Sequence, residues 1–82
     1  MNIYVANLAY DVTEADLRAA FVAFGTVQSV RIVYDHDTGR SRGFGFVGMA
    51  DADAQAAISA LSQAELHGRK LRLGEAEKKN QR

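Results

Sequence analysis

The sequence predicts an α+β domain of order β-α-β-β-α-β, with a four-stranded antiparallel sheet and two helices on one face. Three observations predict it. Short β-rich segments of alternating residue type recur at 3–6, 27–34, 44–49 and 70–73. Two stretches repeat apolar residues at helical spacing: Leu17, Ala20, Phe21 and Phe24, then Ala54, Ala57, Ile58 and Leu61. A chain of 82 residues also leaves no material to cover the second face of such a sheet.

Each element has its own signal. Ile3 to Ala6 is the first strand, and residues 7–11 connect it to a helix. Thr13 is a helix N-cap with Asp16 three residues on, a short relative of the capping box. Gly25 stops this helix, as a residue permissive of left-handed backbone does. Val27 to Tyr34 is the second strand. Asp35 to Arg42 is polar, contains Thr38-Gly39 and reads as a loop. Asp35, Asp37 and Thr38 lack the further ligands of a calcium loop, so a turn is expected there. Phe44 to Met49 is the third strand, and Asp51 or Asp53 caps the second helix. His67-Gly68 is a turn, and Lys70 to Leu73 is the fourth strand. The domain is expected over residues 1–76, with a short polar, basic tail at 77–82. The arrangement is a ferredoxin-like sandwich of two βαβ halves, which by itself says nothing of activity.

Composition narrows the function classes. Hydrophobic residues make up 48% of the chain, enough for a modest core, and there is no Cys. Disulfides, thiolate nucleophiles and Cys-ligated metals are therefore excluded. No apolar run reaches the roughly 18–20 residues that span a bilayer, and the N-terminus lacks the pattern of a signal peptide. A cytoplasmic, monomeric domain with no membrane partner is expected. Ten basic residues balance ten acidic ones, which excludes a globally basic binder but not a locally basic face. The serines have no paired His and acid, so a nucleophilic enzyme has no case. His36 and His67 lie far apart in sequence, without a carboxylate or Cys constellation, and read as plain surface residues. Neither a metal, a cofactor nor catalysis is expected.

Strand parity then decides which face stays open. Burying an unpaired Arg is costly, so the helices must cover the strand sets without charge. The covered sets are Ile3/Val5, Val30/Ile32, Gly45/Val47/Met49 and Leu71/Leu73. The open face collects Arg31, Arg42, Lys70 and Arg72 around Tyr4, Phe44 and Phe46. Three exposed rings side by side have no solubility rationale and mark a binding surface. The acids gather instead at helix N-termini (Asp11, Glu14, Asp16, Asp51, Asp53) and in the loop. Residues 69–82 hold six basic residues against two acidic ones. Gly45 relieves crowding beneath the helices, whereas Gly48 leaves open-face backbone accessible to a ligand.

These residues resemble the RNA recognition motif. Residues 42–49, Arg-Gly-Phe-Gly-Phe-Val-Gly-Met, match its strand-three signature at seven of eight positions. The departure, Met49, falls on the core side by parity and bears on packing. Ile3-Tyr4-Val5-Ala6-Asn7-Leu8 resembles the partner signature on strand one. Lesser matches are Thr13 to Leu17, Phe24-Gly25, Asp35 to Gly39 and Gly68-Arg69 to Ala76. The resemblance spans roughly residues 3–76 and extends to the small single-motif proteins of bacteria and cyanobacteria.

The resemblance implies single-stranded RNA binding across the open sheet. Tyr4 and Phe46 would stack bases, Phe44 would contact riboses and Arg42 would pair with a phosphate. Arg31, Lys70 and Arg72 would flank the rings, and the backbone at Gly74, Glu75 and Ala76 would read a base edge. The family often has Asn where this chain has Gly74, so no side-chain contact is expected there. The implied set is Tyr4, Asn7, Arg31, Arg42, Phe44, Phe46, Lys70, Arg72, Glu75 and Ala76. Single-stranded DNA stays open as a ligand, because discrimination rests on 2′-OH contacts. A peptide-binding module of the same fold is the other alternative, although retention of the three rings argues against it. An acylphosphatase-like enzyme would need an Arg-bearing phosphate loop after strand one, and residues 7–12 contain neither Arg nor Gly.

Overall fold

Alternation in the strands sets the architecture of the computed structural model, which describes residues 1–76. The expected basic tail at 77–82 lies outside the described residues. The elements are β1 (Asn2–Ala6), α1 (Glu14–Val22), β2 (Val27–Tyr34), β3 (Ser41–Met49), α2 (Asp51–Leu61), β4 (Glu65–Leu66), β5 (Arg69–Lys70) and β6 (Arg72–Ala76). The main sheet has order β2-β3-β1-β6 and is antiparallel throughout. β4 and β5 form a separate two-stranded hairpin.

The expected core sets are those the helices cover. Ile3, Val5, Ile32, Val47 and Met49 lie buried against Leu17, Phe21, Ala54 and Ala57. Leu8 and Val12, from the connection after β1, close one end of this layer. Met49 is fully buried, as its parity requires. Ala54 and Ala57 are the buried residues of α2, and their small side chains bring that helix close to the sheet.

Local signals hold in α1. The Thr13 hydroxyl accepts from the Asp16 N–H (3.1 Å), and the Asp16 carboxylate accepts from the Thr13 N–H (3.0 Å), a complete capping box. The helix ends at Val22, and the Gly25 N–H donates to the Val22 carbonyl (3.2 Å). The loop before β3 is a turn built on Asp35. Its carboxylate accepts from the N–H of Asp37 (2.8 Å) and Thr38 (3.4 Å).

α2 departs from expectation at its start. Neither Asp51 nor Asp53 is the cap; Ala50 holds that position and makes no side-chain bond. Both acids lie one and three residues after it, in the first turn, where the helix dipole favours them.

The last strand also begins later than expected, at Arg72 rather than Lys70. The cause is the turn. His67 (φ 53°) and Gly68 (φ 82°) both take left-handed backbone, the geometry of a two-residue hairpin loop. Arg69 and Lys70 therefore pair back onto Leu66 and Glu65. Leu71, buried at 3% exposure, anchors the passage from this hairpin into β6.

α1 also shields the outer edge of β2. The Glu14 carboxylate accepts from the Ile32 N–H (3.1 Å), and the Arg18 guanidinium donates to the Val27 carbonyl (3.2 Å). Both bonds occupy groups that an edge strand otherwise offers to other chains.

Two substitutions test this packing. Met49→Ala should lower stability by about 2–5 kcal/mol, the range for emptying a buried Met site. A thermal melt in which that variant keeps the wild-type Tm would contradict the strand parity. Gly45→Ala would set a Cβ against the Arg31 carbonyl, with the Ile32 Cα only 3.1 Å away. Neither is the end of a flexible side chain, so β2 and β3 must part. Gly45→Ala should shift the urea midpoint downward, which equilibrium unfolding measures.

Candidate nucleic-acid interface

The pairing register lays three rows of residues across the open face. Arg31, Phe46, Tyr4 and Gly74 stand abreast on β2, β3, β1 and β6. Phe44, Ala6 and Arg72 form the next row on β3, β1 and β6. Ser29, Gly48, Asn2 and Ala76 form the row on the other side.

The three rings make one patch. Tyr4 lies 5.9 Å from Phe44 and 5.7 Å from Phe46, centroid to centroid. Phe44 and Phe46 meet edge to face at 6.3 Å and 89°. These are favourable aromatic geometries, so the rings hold one another in place before any ligand arrives. Mutual contact leaves Tyr4 at 39% exposure and both phenylalanines half-buried.

Charge is segregated around the patch. Arg31, Arg42 and Arg72 are exposed, and none has a carboxylate within ion-pair distance among the described residues. Acidic groups are engaged elsewhere: Glu14 on β2's edge, Asp16 in the helix cap and Asp35 in its turn. A neutral chain thus presents a locally positive, aromatic face.

The other expected residues are placed less simply. Lys70 belongs to the hairpin rather than to the main sheet, and its carbonyl accepts from the Asn7 side-chain amide (2.6 Å). The Asn7 side-chain oxygen accepts from the Arg69 guanidinium (2.6 Å). Both ends of the Asn7 carboxamide therefore tie β1 to the hairpin. Glu75 pairs with Ile3, so its side chain takes the parity opposite to Tyr4. Ala76 faces Asn2 at the margin of the open face. Gly48 does not expose its backbone: it is buried, and an added Cβ would lie 2.5 Å from the Ser29 hydroxyl. Ser29 pairs with it from β2 and closes over it.

Comparison with known proteins fits this face. The family model for the RNA recognition motif matches residues 3–72. The chain belongs to the RNA recognition motif family. A relative from Synechocystis sp., named "Putative RNA-binding protein RbpA", is 52% identical over all of this chain and 82% of its own. The crystal structure of RNA Binding Protein PG1 superposes with a TM-score of 0.92 at 49% identity, covering 99% of both chains. The Sxl-lethal protein/RNA complex superposes with a TM-score of 0.88 at 32% identity, covering 96% of this chain and 48% of that one.

Within this family frame, the structure adds features that sequence reasoning passed over. Beyond the Phe44 row, residues 7–11, Arg42, Gly43 and Arg69 line a groove of about 640 Å³. Arg69 follows a hairpin turn legible as His67-Gly68, but only the hairpin's fold brings it to Asn7. His67 is likewise no plain surface residue. Its Nδ1 lies 2.9 Å from the Asp11 carboxylate and its Nε2 3.3 Å from that of Asp16. The hydrogen bond with Asp11 holds the imidazole above its ordinary value of 6.5, against a smaller desolvation effect. The same bond draws Asp11 below its ordinary 3.8.

This contact clamps the hairpin to the start of α1, with a defined pH window. A raised imidazole pKa stabilises the fold fully below 6.5, and that stabilisation is lost as pH rises through the folded-state value. A lowered carboxylate pKa stabilises above 3.8 and is lost as pH falls through its folded-state value. The clamp is therefore strongest between those limits. His67→Asn keeps a residue that tolerates left-handed backbone but removes the titrating group. Melting profiles against pH should show a loss of Tm in the wild type above pH 6.5 that His67→Asn lacks. Parallel profiles for the two proteins would refute the clamp.

Proposed function

We propose that this protein binds single-stranded RNA across the open face of its sheet. Tyr4 and Phe46 each stack a base, Phe44 packs against ribose and Arg42 takes a phosphate. Arg31 and Arg72 flank the rings and contact the backbone or base edges. The observation that carries this reading is the three-ring patch bordered by guanidinium groups without carboxylate partners among the described residues. Unpaired bases expose π-faces that such rings can take up, each worth about 1–3 kcal/mol. Family membership and the likeness to a solved protein/RNA complex support the same ligand. Asn7 and Lys70 act in this reading by holding the hairpin beside the face.

Stacking outweighs charge here. With two to four phosphate contacts, the slope of log affinity against log salt would be about −1.5 to −3, at roughly −0.7 per phosphate on a single strand. Affinity is expected nearer micromolar than nanomolar.

The test is a titration against fluorescent pools of randomised short RNA and of single-stranded DNA. Phe46→Ala should weaken RNA binding by at least about 1 kcal/mol while the variant remains folded by circular dichroism. Unchanged affinity would remove Phe46 from the site. Equal binding of both pools would extend the ligand class to single-stranded DNA.

A further inference from the structure

The groove beyond the Phe44 row brings the Tyr10 ring together with the Arg42 and Arg69 side chains. Tyr10 is 76% exposed on its rim, the most exposed of the chain's large hydrophobic side chains among the described residues. Its ring is left open to solvent beside the groove. Arg42 lines the groove beside Gly43. Arg69 also lines it and is held in place: its Nε donates to the Asn7 carbonyl (3.4 Å) and its Nη2 to the Asn7 side-chain oxygen (2.6 Å). A guanidinium carries five N–H donors, so three remain for a ligand. Neither arginine has a carboxylate partner among the described residues. Asp11 also lines the groove, but its carboxylate is bonded to His67 (2.9 Å).

The groove continues the ring patch. Gly43 immediately precedes Phe44, and Asn7 immediately follows Ala6, which pairs with Phe44. The Leu8 N–H donates to the Gly43 carbonyl (2.9 Å), which locks the loop to β3 at this junction. A strand leaving the Phe44 row therefore meets a positive, preformed trough with an aromatic rim. Its volume of about 640 Å³ lies within the range of small-molecule sites.

We propose that this groove is an additional nucleotide subsite, in which Tyr10 stacks one further base and Arg42 and Arg69 hold its phosphate. The proposal rests on the reading of the open face as the RNA site, and it extends the footprint by one nucleotide past the rings. Arg42 then serves the junction between the two regions.

Oligouridylates and oligoadenylates of two to six nucleotides provide the test, titrated by fluorescence anisotropy against wild type, Tyr10→Ala, Tyr10→Phe and Phe46→Ala. Wild-type affinity should rise with length and then level off. Tyr10→Ala should level off one nucleotide earlier, binding the longest oligomers roughly five- to a hundredfold more weakly and the shortest as wild type does. Tyr10→Phe should restore the full length dependence, since the ring rather than the hydroxyl does the stacking. Exposure of Tyr10 makes an unfolded variant unexpected, and an unchanged Tm checks it. Wild-type affinity at every length in Tyr10→Ala, with loss in Phe46→Ala, would overturn the groove and leave the sheet reading intact. Equal weakening at all lengths in Tyr10→Ala would also overturn it. No binding by the wild type at any length would overturn both.

Discussion

The pairing of β1 with β3 is the constraint on which the rest of the molecule depends. These are the two central strands, and each has a partner on both sides. Their register sets Ile3 beside Val47 and Tyr4 beside Phe46. The first pair goes under the helices and the second goes to the open face. Because side chains alternate with a period of two, a slip of one residue would send rings into the core and valines into water. The hydrophobic burial of Ile3, Val5, Val47 and Met49 therefore also positions the aromatic patch. Folding and site construction are one event in this sheet.

The patch in turn manages its own exposure. Three rings on an uncovered face are an aggregation hazard when each stands alone. Here each ring shields part of the next, so two of the three are half-buried without a ligand. Mutual contact also restricts their rotamers, which lessens the ordering penalty when a base stacks on them. The same economy appears at Gly48, where Ser29 closes over backbone that would otherwise be bare.

At the far end of the face, order comes from polar contacts rather than from packing. Asn7 joins β1 to the hairpin through Lys70 and Arg69. His67 joins the same hairpin to the residues that open α1. Both sets of contacts are solvent-exposed, so each is individually weak. Together they set Arg69 in the groove that Arg42 also lines and keep Asp11 turned toward an imidazole. A neutral chain thereby keeps one face positive, with Asp16 engaged in a cap, Asp35 in a turn and Glu14 on the β2 edge.

What the sequence by itself determined was everything carried by periodicity. Alternation at Ile3 to Ala6 and Phe44 to Met49 assigned the core and open sets, and Thr13 with Asp16 located the start of α1, because these are interactions between residues close in the chain. The RNA recognition motif signatures were legible for the same reason: each is one short contiguous stretch, on β3 or on β1 and the two residues after it. Tertiary structure decided the rest. The hairpin that withdraws Lys70 from the main sheet depends on left-handed backbone at His67, which no alternation announces. The roles of Asn7, Arg69 and His67 depend on partners 62, 62 and 56 or 51 positions away in the chain, as Asn7–Arg69, His67–Asp11 and His67–Asp16 show. Ser29 covers Gly48 only because β2 pairs with β3. Local pattern specifies which way a side chain points, but only the closed sheet specifies what it meets there.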